Sequence, residues 1–183
     1  MKKVDFDKFD NSWYKPGSFL KRIFWYFFSL IFINTAFPWP MSLKKNILKI
    51  FGAKIGRNFV IKPSVNIKYP WFLEISDNVW IGEKVWIDNF VIVKIGINCC
   101  ISQGALLLTG NHDYKKVSFD LIPGEITMEE GAWAGAKTVI CPGVIMKSHS
   151  ILTVGSIATK NLEENGIYVG NPALKIRNRE ILD

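Results

Sequence analysis

Short apolar pulses recur every six residues from Ile55 onward, and this period constrains the chain more than any other feature. The first hexads read IGRNFV (55–60), IKPSVN (61–66) and IKYPWF (67–72), followed by two inserted residues, Leu73 and Glu74. ISDNVW, IGEKVW and IDNFVI cover 75–92, and Val93 and Lys94 are again inserted. A third set starts at Ile95 and runs to Gly110, so Ile55, Ile75 and Ile95 are spaced by twenty. Five more hexads, from MEEGAW (128–133) to LTVGSI (152–157), continue without insertion. Position one is usually aliphatic, and position five is often small or Val. A period of six fits neither a 3.6-residue helix nor a hairpin array. It fits a β-solenoid, in which position one points inward and small residues at position five sit where the chain turns. Three hexads make one turn of a triangular coil.

The repeat breaks once, between Gly110 and Ile126, and residues 111–125 form an extended loop with His112 at its root. A loop that leaves a rigid scaffold is a place to look for function. The only other histidine, His149, falls at position four of a hexad, a turn or surface position. Asp88 and Asn89 break the apolar rhythm one coil earlier, where a solvated turn would be the plain reading. The three cysteines Cys99, Cys100 and Cys141 have neither disulfide-framework nor metal-ligand spacing; two fall at inward or turn positions, where they read as small apolar residues, and a reducing compartment is expected.

The segment before the repeat is different in kind. The net charge is +7, yet residues 11–73 hold ten bases and no acid, while 74–183 hold ten bases and thirteen acids. Thirteen of the 25 aromatic residues lie in 1–40. Ser18 caps an expected helix that Pro38 and Pro40 would end. Its apolar stretch Ile23–Phe37 would span about 22 Å, short of a bilayer core of about 30 Å, and no small-x-small cleavage site follows it. Phe24, Trp25, Phe27, Phe28, Ile31 and Phe32 either pack on the protein or a sister subunit, or lie in a membrane interface with Lys21 and Arg22 on lipid phosphates. A second helix, 42–51, would seat Leu43, Ile47, Leu48 and Phe51, with Lys44, Lys45 and Lys49 between them and Gly52 as its stop. The chain divides into an N-terminal helical segment (1–54), a solenoid (55–173) and a tail (174–183).

With the hexads in place, the string WIDNFVIVKIGINCCISQGALLLTGNHDY (86–114) with SFDLI (118–122) resembles the hexapeptide-repeat acetyltransferases, closest to the colanic acid and exopolysaccharide type. GAWAGAKTVICPGVIMKSHSILTVGSIATK and GNPA resemble a wider group of sugar and xenobiotic acetyltransferases, departing from it at Ala134, Lys147 and Thr153. The resemblance implies a mainly β fold, a left-handed parallel β-helix that trimerises. It implies O-acetyl transfer from acetyl-CoA to a hydroxyl of a sugar or of a lipid-linked sugar, with His112 as general base and no metal. It implies that the cofactor meets Trp133, Gly135, Ala136, Val154, Gly155, Thr159, Lys160, Lys175 and Arg177, although Trp133 could equally fill a corner and the last two could be solvated tail. Asp88, with Asn89, Asn111 and Asp113, would meet the acceptor. An imidazole suits proton removal from a hydroxyl near neutral pH; Asp113 or a carbonyl would hold its tautomer.

Other classes fit less well. There is no glycine-rich phosphate loop for a nucleotide-sugar pyrophosphorylase, two histidines cannot supply a three-histidine zinc site, and no nucleic-acid motif accompanies the bases. A non-catalytic solenoid scaffold is the alternative. The expected location is cytoplasmic, at the inner face of the membrane if the aromatic helix meets lipid.

Overall fold

A computed structural model describes residues 2–182. The solenoid is built from two- and three-residue strands, three to a turn. The first turn holds β1 (Lys54–Ile55), β2 (Val60–Ile61) and β3 (Asn66–Ile67), and the second β4 (Leu73–Ile75), β5 (Trp80–Ile81) and β6 (Trp86–Asp88). The third holds β7 (Val93–Ile95), β8 (Cys100–Ile101) and β9 (Leu106–Leu108); the fourth β10 (Ile126–Met128), β11 (Trp133–Ala134) and β12 (Val139–Ile140). The fifth holds β13 (Ile145–Met146), β14 (Ile151–Leu152) and β15 (Ile157–Ala158). These strands visit three parallel faces in strict rotation: β1, β4, β7, β10 and β13 form face A; β2, β5, β8, β11 and β14 lie on face B; β3, β6, β9, β12 and β15 form face C. Face B continues into β16 (Gly166–Gly170), on which β17 (Ala173–Asn178) folds back antiparallel.

The six-residue period has a backbone cause. Position four lies at positive φ in hexad after hexad: Asn58, Ser64, Asn78, Lys84, Asn98, Lys137 and His149, or glycine at Gly104, Gly131, Gly143 and Gly155. One left-handed residue per hexad turns the chain through a corner, and the next two or three residues run straight as a strand. Position one points inward, as expected: Ile61, Ile81, Ile101, Met128 and Leu152 are buried. Position five does more than fit the turn, because it also points inward; Val79, Val85, Cys99, Thr138 and Ser156 are buried with it. Burial pushes the Cys99 thiol up to about 11, so it fills space as a neutral group. All three cysteines are free.

Residues spaced by twenty stack on one another. Asn58 Nδ2 donates to Asn78 Oδ1 (2.9 Å), and Asn78 Nδ2 to Asn98 Oδ1 (3.0 Å). Arg57 meets Asp77 and Lys54 meets Glu74 across the same step. The departures from the six-residue rhythm gather at one edge, the corner between faces C and A: Pro70–Phe72, Asp88–Ile92 and the 109–125 excursion all lie there.

The N-terminal helices close the open end of the coil. In α1 (Phe19–Phe28), Ser18 is the cap and accepts from Lys21 N. The helix continues as a wider π turn over Ser29–Ile33 and stops there, before Pro38 and Pro40. Of the six apolar side chains expected to pack, only Trp25 is buried and Phe32 is half-buried; Phe24, Phe27, Phe28 and Ile31 are exposed, because a single stripe of the helix touches the solenoid. No helix among the described residues is long and apolar enough to cross a membrane. In α2 (Met41–Ile50), Gly52 at φ 102° ends the helix, with Ala53 N bonding Leu48 O and Gly52 N bonding Lys49 O in a Schellman pair.

Lys44 is the surprise in α2. It precedes Ile47 and Leu48 by three and four residues, so it shares their inward face and is 1% exposed. Its Nζ reaches only Lys62 O, at 3.4 Å, and burial holds its pKa below the ordinary lysine value. The unfolded chain therefore binds the more protons, and the penalty is fully present at low pH and relieved as pH rises toward 10.5. Lys44→Met is expected to raise stability at pH 7 by about 1 kcal/mol and to abolish the alkaline gain, as measured by urea unfolding at several pH values.

Candidate functional site

The excursion at the C/A corner is a braced loop. Thr109, fully buried, donates from Oγ1 to Asp88 O (2.9 Å) and accepts from Phe90 N (2.7 Å), which ties the loop root to the turn beneath. A Cβ at Gly110 would lie 2.8 Å from the Phe90 ring, so a larger residue here would have to displace that ring. His112 then pairs with Leu121 as an antiparallel bridge, and Asn111 O accepts from Ile122 N. The loop returns past Gly124, whose amide donates to Thr109 O.

The His112 ring is held on several sides. Its Nδ1 lies 2.9 Å from the Phe119 carbonyl oxygen. A carbonyl can only accept, so Nδ1 carries the proton in the neutral ring and Nε2 keeps its lone pair. The Phe119 ring stacks on the imidazole at 4.4 Å and 9°. Phe119 itself sits at φ 52°, a conformation that costs a bulky residue about 1–2 kcal/mol. That backbone setting lets one residue present both its carbonyl and its ring to His112.

Sequence reasoning did not single out Phe119 or the N-terminal arm. Asp5 N donates to Val117 O (2.9 Å), Phe6 packs edge-on to Phe119, and Phe9 lies 5.9 Å from the His112 ring. Tyr14 donates to Phe90 O (2.6 Å), and burial raises the phenol's pKa, so it stays a donor. The concentration of aromatics before residue 15 was the available signal, but nothing in it pointed to a loop a hundred residues away.

The candidate acceptor residues divide. Asp88 is 8% exposed and accepts from Lys68 Nζ (2.9 Å), which also lies 3.6 Å from the Phe90 ring centroid. Asn89 is fully buried, its Oδ1 accepting from Tyr69 N and its Nδ2 donating to Tyr69 O. Both ends of that amide serve the corner, so Asn89 offers a ligand no free group. Asn111 is exposed, and its Oδ1 accepts from His112 N (2.8 Å). Asp113 accepts from Lys115 N and shapes the turn; the Phe119 carbonyl, not Asp113, holds the imidazole. His149 is a corner residue whose Nδ1 would lie 2.2 Å from a Cβ at Gly131.

The remaining residues lie elsewhere on the prism. Gly135 and Ala136 turn the B/C corner in the fourth coil, and Val154 and Gly155 stack on them in the fifth, with Gly155 N donating to Ala136 O. A Cβ at Gly135 would meet Leu152 O at 2.8 Å, whereas the space around Gly155 is open. Trp133 lies exposed on face B, donating to Ser102 Oγ (2.9 Å). Lys175 and Arg177 are exposed on β17, and Thr159 and Lys160 are exposed at the C/A corner of the fifth coil. One protomer thus sets His112 and the B/C strip on opposite edges of face C. At the departures noted in the sequence, Ala134 is core, Lys147 pairs with Glu163 (2.8 Å), and Thr153 donates to Tyr168 O. Among the described residues, no group of three or more His, Cys, Asp or Glu side chains could hold a metal ion.

No family model matches the chain. A putative colanic acid biosynthesis acetyltransferase, WcaF, of Escherichia coli K12 is 37% identical over 149 residues, covering 79% of this chain and 82% of that protein. A solved galactoside acetyltransferase in complex with coenzyme A superposes with a TM-score of 0.78 at 25% identity, over 87% of this chain and 80% of that one. A hexapeptide-repeat acetyltransferase of Vibrio cholerae, complexed with acetyl coenzyme A, shares the fold at 17% identity, with a TM-score of 0.78 and 88% of each chain covered.

The hydrogen bond to Phe119 is directly readable. Long-range nitrogen–proton correlation spectra of neutral His112 are expected to show Nδ1 protonated and Nε2 as the pyridine-type nitrogen. Phe119→Gly, which accepts positive φ and keeps the carbonyl, should preserve that tautomer while removing the ring stack. A protonated Nε2 in the wild type would contradict the geometry.

Proposed function

The chain belongs to the hexapeptide-repeat acetyltransferases, alongside the colanic acid biosynthesis type, and on that premise we propose that it moves acetyl from acetyl-CoA to a hydroxyl of a sugar or polysaccharide precursor, with His112 as general base. The observation that carries this reading is the His112 ring with Nδ1 on the Phe119 carbonyl and Nε2 left as an acceptor at the root of a braced loop. Relatives named for acetyl transfer to galactosides, and a neighbour solved with coenzyme A, support the acceptor class and the donor.

The chemistry asks little more of the protein. Nε2 takes the proton of the acceptor hydroxyl as its oxygen attacks the thioester carbonyl. The carbon–sulfur bond breaks, and the imidazolium returns its proton to the departing thiolate. Phe119 O stabilises the ring while it is charged, and the stack fixes its plane. Asp88 and Asn111 are the acceptor-side candidates. On the donor side, Gly135, Ala136, Val154 and Gly155 leave a low strip along the B/C corner where a thin pantetheine arm fits, the open space at Gly155 being its best support. Trp133 would flank the reacting end, and Lys160, Lys175 and Arg177 suit the phosphates.

Because His112 and the strip at the B/C corner lie on opposite edges of face C, the complete site needs a second subunit. A homotrimer that sets the C/A corner of one protomer beside the B/C corner of the next unites them. Exposed Trp80 and Trp133 on face B supply apolar surface for such contacts.

His112→Ala is expected to lower kcat for acetyl transfer by about 10²–10⁴-fold, with CoA binding and Tm unchanged. Activity within a few fold of wild type would reject the base assignment. Co-expressing His112→Ala with Gly155→Trp should recover activity above either variant alone, since a mixed trimer rebuilds one intact site. No recovery would reject a site shared between subunits.

A further inference from the structure

The helix that closes the coil carries two opposite stripes. Arg22, Trp25, Ser29 and Ile33 face the solenoid, and Trp25 Nε1 donates to Ile67 O (2.9 Å) on β3. On the far side, Leu20, Phe24, Phe27 and Ile31 recur at helical spacing and are 65, 57, 56 and 54% exposed. Phe19, Tyr26, Phe28, Leu30 and Phe37 widen this stripe. No charged residue occurs between Arg22 and Lys44. A contiguous apolar face of this kind marks a contact surface, unlike singly scattered apolar side chains.

Charge selects the occupant. There is no acid between Asp10 and Glu74, and among the described residues Lys15, just before the helix, and Lys21, in its first turn, make no salt bridge. Lys21 rests over the Trp71 ring at 4.3 Å. If the same face of a second copy packed here, like charges would meet with nothing between them. An anionic bilayer offers what this surface lacks: phosphates for the cations and an apolar layer for the aromatic rings. The helix is too short to cross that layer and so lies along it.

We propose that the outer stripe of α1 and its π turn docks on an anionic lipid surface, with Leu20, Phe24, Phe27 and Ile31 immersed and Lys15 and Lys21 at the phosphates. The docking has a consequence for the site, which rests on the acetyl-transfer reading. The helix stands on β3, and the His112 loop leaves face C after β9, two strands up the same face, or about 10 Å. Counting the helix itself, about 10 Å across, docking sets the root of the His112 loop on the order of 20 Å from the bilayer, a distance that a sugar chain carried on a lipid can span.

Sedimentation with vesicles tests the docking without reference to catalysis. Wild-type protein is expected to pellet with phosphatidylcholine vesicles containing phosphatidylglycerol, and about tenfold less with phosphatidylcholine alone. Raising salt from about 0.1 M to about 0.5 M should weaken the anionic binding. Phe24→Glu with Phe27→Glu should abolish it while Tm, oligomeric state and acetyl transfer to a soluble acceptor stay unchanged, since both positions are exposed. Wild-type protein left in the supernatant, or equal binding by the double variant, would overturn the proposal. So would dissociation of the oligomer in that variant, which would make the face a subunit contact. Lost acetyl transfer in His112→Ala with vesicle binding intact would leave the docking standing, and the converse would leave the enzyme reading standing.

Discussion

Backbone hydrogen bonding from each coil to the next is the interaction on which everything else in this protein depends. Val60 N bonds Val79 O, Trp80 N bonds Cys99 O, Cys100 N bonds Ala132 O, and the ladder continues to Thr153 N on Tyr168 O. These bonds form only if each coil has the same shape as its neighbour, which demands a corner at the same place in every hexad. The left-handed residue at position four supplies that corner. Once the backbones register, side chains spaced by one turn must stack, and this explains the Asn58, Asn78 and Asn98 ladder and the ion pairs at the same step. Their energies are small at this exposure; what they report is register.

The same constraint decides where chemistry can be placed. A solenoid wall has no free backbone groups and cannot bend without breaking the ladder above and below. Irregularity is therefore confined to a corner, and here one corner takes nearly all of it. Pro70, the Asn89 amide on Tyr69, Thr109 and Gly110 adapt successive turns until the chain can leave at 111 and return at 125. The loop is braced by its own bridge and by the N-terminal arm, so His112 is held in place despite lying outside the wall. Strain is accepted at one point, Phe119, whose left-handed backbone aims its carbonyl at the imidazole.

Much of this was legible in the chain. Ile55, Ile75 and Ile95 announced the turn length, and the break after Gly110 announced the loop, because a period is a local property of sequence. His112 stood out because it sits where the period fails. Phe119, Phe9 and Tyr14 did not stand out, because their meaning lies in contacts with residues distant in sequence, and an aromatic residue looks the same whether it fills a core, braces a histidine or faces lipid. Lys44 misled for a related reason: a lysine among apolar residues reads as the polar face of a helix, and only the placement of α2 across the open coil buries it.

By itself, the sequence determined the six-residue coil, the place of its interruption and the split between an acid-free aromatic segment and a near-neutral solenoid, since each follows from which residues are neighbours along the chain. Only the tertiary structure decided which carbonyl holds His112, which stripe of α1 is left facing outward, and that His112 and the B/C strip stand on opposite edges of one face. Those are relations between coils. They exist only after stacking has brought residues tens of positions apart to within hydrogen-bonding distance, or turned them to opposite sides of the prism.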